Sequence, residues 1–105
     1  MTDAGVAGGG LRPLGDGHFE IHGDLTFESA SGILEQSKSQ FDDFRKLHID
    51  LTGIEDADSA GLALLIEWLS WARRSDREIE FAGLPARLSA IAEISEVAEL
   101  VTARP

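Results

Sequence analysis

The chain contains no cysteine. Disulfide staples, a thiol nucleophile and thiolate metal ligation are therefore all excluded, and the composition suits a reducing compartment. Basic residues are scarce, 9 Lys and Arg against 19 Asp and Glu, for a formal net charge of −10. Counterion-release binding to nucleic acid needs clustered cations, and an acidic chain is repelled by phosphate backbones and anionic lipid surfaces. Nucleic acid and direct membrane adsorption are thus disfavoured as partners. No run approaches the roughly 18 apolar residues of a spanning helix. The N-terminal MTDAGVAGGG has an acid where a signal peptide carries bases, and it has no apolar core. A cytoplasmic protein is expected. Gly8-Gly9-Gly10 does not follow a strand, so it is not a phosphate-binding loop, and no nucleotide cofactor is expected.

What is present suits one domain of 105 residues, 43% hydrophobic and 27% charged. Residues 1–10 are Gly- and Ala-rich and are expected to form a disordered tail, with a single domain over 11–105. Leu11–Leu14 reads as a short edge strand limited by Pro13, and Gly15-Asp16-Gly17 as a hairpin turn. His18–His22 alternates, Phe19 and Ile21 inward and His18, Glu20 and His22 outward. A helix is expected from about Ser29, with Ile33, Leu34, Phe41 and Phe44 as core positions. Glu78–Phe81 alternates again, with Ile79 and Phe81 inward. Pro85 then opens a helix carrying Leu88, Ile91 and Ala92, followed by a short one carrying Val97, Leu100 and Val101. Helices between strands at this spacing imply parallel neighbours joined by right-handed crossovers. The alternating strands imply one open face. The fold class is α/β: a mixed four- to five-stranded sheet with helices mainly on one face.

The most informative stretch is residues 47–71. Leu47, Ile49 and Leu51 alternate with His48 and Asp50 as in a half-buried strand; Thr52 to Asp58 reads as an acidic turn; and a helical pattern starts at Ala60. Leu62, Leu65, Ile66 and Leu69 fall at i, i+3, i+4, i+7 and are expected to face the core. Ala60, Leu64, Trp68 and Trp71 form a second apolar row on the opposite side. In a chain this short a fully encased helix is not expected, so Leu64, Trp68 and Trp71 are read as a docking surface for a protein partner, continuous with Asp58, Ser59 and Ala60. On this reading Leu65→Asp unfolds the domain and Trp68→Asp does not. The same exposed row could support a homodimer.

Asp58 and Ser59 are both preferred helix N-caps. Ser59 also suits regulation, because the helix N-terminus tolerates a phosphoryl group whose charge would alter a surface there. Catalytic and metal chemistry have little support. Glu55, Asp56 and Asp58 lack the alternating ligands and central Gly of a calcium loop. His18 and His22 lack a third ligand, and Asp58-Ser59-Ala60-Gly61 is not a nucleophile elbow.

The segment LHIDLTGIEDADSAGLALLIEWLSWA, followed by REIEFAGLPARLSAIAE, resembles the STAS domain (sulfate transporter and anti-sigma-factor antagonist). Asp50-Leu51-Thr52 is similar to that family's strand-ending motif, and Asp58-Ser59 with Gly61-Leu62 to the motif that opens its helix; Gly23-Asp24-Leu25 resembles a further element. By this resemblance Ser59 corresponds to the residue phosphorylated in anti-sigma-factor antagonists. Gly61 to Leu65 looks most like the small STAS subunit (MlaB-like) of the Mla phospholipid-transport ABC complex. The resemblance implies a non-enzymatic protein whose partner is an ABC ATPase subunit, in membrane association only through that complex. In the alternative branch the partner is an anti-sigma kinase. Ser59 stands where the Mla branch is expected to have threonine.

Overall fold

The computed structural model describes residues 9–94, with side chains over 10–90. The expected tail over residues 1–8, the short helix at Val97, Leu100 and Val101, and the side chains of Ile91 and Ala92 lie outside this description. Strand β1 (Gly9–Gly15) and strand β2 (His18–Leu25) form an antiparallel hairpin. Its two-residue turn, Asp16-Gly17, has φ of 56° and 80°, the left-handed backbone that matches strand twist in a tight hairpin. Helix α1 (Phe27–Gln40) and a 3₁₀ turn (Phe41–Asp43) cross to β3 (Lys46–Ala57). Helix α2 (Ser59–Arg74) then crosses to β4 (Glu78–Ala82), and α3 (Ala86–Ile94) follows. The sheet order is β1-β2-β3-β4, with β3 parallel to both β2 and β4. Among the described residues no helix is long and apolar enough to cross a membrane.

Alternation in the strands sorts the two faces. Leu11, Phe19, Ile21, Leu25, Leu47, Ile49 and Leu51 are buried on the helix side. The opposite face is polar and open: Arg12 pairs with Glu20 at 2.6 Å, His18 stacks on His48 with ring centroids 4.6 Å apart, and His48 Nδ1 lies 2.9 Å from Glu80 Oε1. Ile79 and Phe81 on edge strand β4 are only half-buried. Two boundaries differ from the sequence reading. Strand β1 begins at Gly9, inside the expected tail, because Gly9 and Gly10 pair with Gly23 and His22. The expected acidic turn is instead strand: β3 runs through Glu55 and Asp56 to Ala57, paired with the end of β2 through two register shifts, each of which leaves an extra residue on β3. Backbone pairing here overrides the turn-forming composition.

The largest correction concerns α2. Leu64 and Trp68 are 4% and 2% exposed, and Trp71 is half-buried, so this row is not a free docking surface. Helix α2 is the middle one of three, with α1 on one flank, α3 on the other and the sheet beneath. Trp68 packs under α1: its ring lies 5.1 Å from Phe41, and its Nε1 donates to Ser37 Oγ at 2.9 Å. Trp71 lies 6.0 Å from Phe41 and is capped by the Arg77 guanidinium at 4.9 Å. At about 100° per residue, the direction midway between the two apolar rows is that of Gly61, Leu65, Trp68 and Ala72. These residues are buried, while Ile66 and Leu69 are only partly so. Solvent sees a narrow stripe of Ala63, Glu67, Ser70 and Arg74. Both rows are flanks of one wide core-facing arc, so Trp68→Asp is not tolerated.

Candidate functional site

The parallel strands β2 and β3 end side by side, with Leu25 opposite Ala57, and helices α1 and α2 start immediately beyond. Asp58 is the residue that fixes this pole. Its Oδ1 accepts from the N–H groups of Ala60 at 2.9 Å and Gly61 at 3.3 Å, which makes it the N-cap of α2. Its Oδ2 accepts from the N–H of Phe27, the first residue of α1, at 3.1 Å. Its own N–H donates to the Leu25 carbonyl at 3.3 Å. One carboxylate therefore meets the positive ends of two helix dipoles, and the backbone N–H of the same residue ties the end of β2 to them. The start of α1 is further set by Ser29, whose Oγ accepts from the Thr26 N–H at 2.9 Å and donates to the Asp24 carbonyl at 2.8 Å.

With Asp58 as the cap, Ser59 is not one. It is the first residue of α2 and is exposed, while Ala60 is half-buried behind it. The structure brings Asp58, Ser59 and Ala60 together and separates them from the rest of the expected surface. Trp71 lies twelve residues further along α2, about 18 Å at helical rise. What remains of the expected docking row is a cleft of about 210 Å³ between α1 and α2, lined by Leu34, Phe41, Trp68 and Trp71.

Gly61 explains how the pole is assembled. A Cβ on it would lie 2.3 Å from the Leu25 carbonyl oxygen, so the first turn of α2 approaches the β2 backbone more closely than any side chain allows. The other motif residues act on β3. Asp50 Oδ1 accepts from the Thr52 N–H at 2.9 Å and from Thr52 Oγ1 at 2.7 Å. The backbone bond and then the hydroxyl bond hold the Asp50 carboxyl below its ordinary value. Because the folded value is depressed, the stabilisation is fully present above the ordinary value and is lost as pH falls through the lowered one. Thr52→Val, which removes the hydroxyl bond, is expected to move the Asp50 titration upward in a carbon-detected NMR pH series; an unmoved midpoint would contradict this assignment of cause.

Sequence reasoning missed Phe27 and its bond to Asp58. The only local signal was Thr26-x-x-Ser29, a capping pattern that begins three residues ahead of where the helix was expected to start. Among the described residues no three His, Asp or Glu side chains converge as a metal site.

Comparison with solved structures places the fold. The chain is similar to the anti-sigma factor antagonist SpoIIAA in its unphosphorylated form, with a TM-score of 0.67 and 12% identity over 92% of this chain and 88% of that one. This likeness defines an α/β domain of the STAS fold. The family model described as Mlab, STAS domain matches residues 12–102, and the chain belongs to that family. No curated protein matches the chain.

Proposed function

We propose that this STAS domain is a non-enzymatic subunit that binds the ATPase of a phospholipid-transport ABC complex and stabilises or regulates it. The reading rests chiefly on the MlaB-type family match, which spans nearly the whole described domain. The pole built by Asp58 supports it. Ser59 stands exposed on a first helical turn whose backbone is already hydrogen-bonded, a rigid surface suited to docking at low entropic cost. The contact residues are Asp58, Ser59 and Ala60 rather than the buried Leu64 and Trp68.

A second reading is an anti-sigma-factor antagonist switched by phosphorylation of Ser59. The accessible hydroxyl at this position favours it, as does the likeness in fold to an antagonist of that kind. Phosphorylation would add about two negative charges at the pole. Co-expression with the ATPase and permease of an Mla-type complex separates the two. The transporter reading predicts a stoichiometric complex with the ATPase through size exclusion and an altered ATP hydrolysis rate. Capture of a kinase instead, with ATP-dependent phosphate appearing on Ser59 and release of the complex, would replace it with the switch.

A further inference from the structure

We propose that Phe27 is the apolar anchor of this pole, and that it seats in an apolar pocket rimmed by Lys or Arg on the partner protein. The inference deepens the protein-binding reading and rests on it. Among the described residues the large apolar side chains left exposed are Leu14, at 54%, and Phe27, at 80%. Leu14 lies at the far end of the hairpin beside the turn, whereas Phe27 is tied through its own N–H to Asp58, the residue next to Ser59. A ring this exposed has little to stabilise it within the domain. The hydrogen bond from its N–H, and the Ser29 contacts just beyond, fix its backbone in place before any encounter. A preorganised aromatic that loses little freedom on docking is what a binding hot spot requires.

The surroundings define the partner's chemistry. Asp24, Glu28, Glu55, Asp56 and Asp58 lie on or beside the strand ends and helix starts of this pole, and Asp24 and Asp56 face each other in the β2–β3 pairing. No Lys or Arg occurs between residues 13 and 37 or between 47 and 72. The ion pairs of the described residues involve none of these five carboxylates. A second copy of the chain would bring like charge to like charge, so the occupant is a different, basic surface.

The test uses the purified full-length chain and the ATPase subunit, with the anti-sigma kinase as the alternative probe, in titration calorimetry at low and at raised salt. Phe27→Ala is expected to weaken binding about tenfold or more while leaving the thermal unfolding midpoint of the free domain unchanged. Phe27→Leu is expected to retain most of the affinity, and raised salt to weaken the wild-type complex. Wild-type binding with an unaffected Phe27→Ala variant overturns the anchor and leaves the protein-binding reading standing. Failure of the wild-type chain to bind either probe overturns that reading and the anchor with it. Concentration-dependent self-association abolished by Phe27→Ala would identify a second copy as the occupant and also overturn the proposal.

Discussion

Trp68→Ala is expected to lower the stability of the domain by about 3–5 kcal/mol, the range for deleting a large buried aromatic. A domain of this size has on the order of 5–15 kcal/mol in total, so the variant loses a large share of it. The site offers little scope for collapse. Trp68 is 2% exposed, its ring contacts Phe41, and Ser37, which accepts its indole N–H, is itself buried. Removing the ring leaves a cavity between α1 and α2 that neither backbone can close without abandoning the sheet. Urea unfolding followed by circular dichroism measures the loss. An unchanged midpoint would mean that the outer row of α2 is a surface after all.

The second large effect has the opposite sign from helix propensity. Alanine is normally better than glycine inside a helix by about 0.5–1 kcal/mol. At Gly61 the added methyl would lie 2.3 Å from the Leu25 carbonyl oxygen and 2.8 Å from Leu25 Cγ. A backbone oxygen at the end of a paired strand cannot turn aside as a flexible side chain can, so the first turn of α2 must lift. Gly61→Ala is therefore expected to destabilise by about 1–3 kcal/mol. It is also expected to shift the amide resonances of Phe27 and Ser59, because lifting α2 disturbs the bonds that Asp58 makes to both helices. Denaturant unfolding together with an amide NMR spectrum checks both; a more stable variant with an unperturbed spectrum would show that the close approach is unimportant.

Much of the fold was legible because its strands leave one face open. The alternation at Leu47, Ile49 and Leu51 and at Phe19 and Ile21 separates core from solvent directly, and Asp16-Gly17 dictates the hairpin turn. The acidic segment before Ala57 has the composition of a turn, whereas long-range pairing with the end of β2 keeps it extended. On α2 the two apolar rows belong to one wide buried arc and not to two faces. The polar residues Glu67, Ser70 and Arg74 of this helix are confined to one narrow stripe, which marks a helix wedged between two others. Of the candidate site, Asp58 and Ser59 were legible as a helix start. The division of labour between them, cap and exposed hydroxyl, depends on which side chain reaches the free N–H groups. Phe27 could not be found from its neighbours in sequence, since the contact that places it spans 31 residues.

We infer that the working surface is the pole around Ser59 and not the flank of α2. Calorimetric titration of the ATPase subunit with Ser59→Trp tests it most directly, because a bulky side chain on an exposed first helical position blocks docking without disturbing the core. Ser39→Trp, exposed near the far end of α1, is the control. At least about a tenfold loss of affinity for Ser59→Trp, with Ser39→Trp binding like the wild type, is predicted. Wild-type affinity in Ser59→Trp would contradict the account.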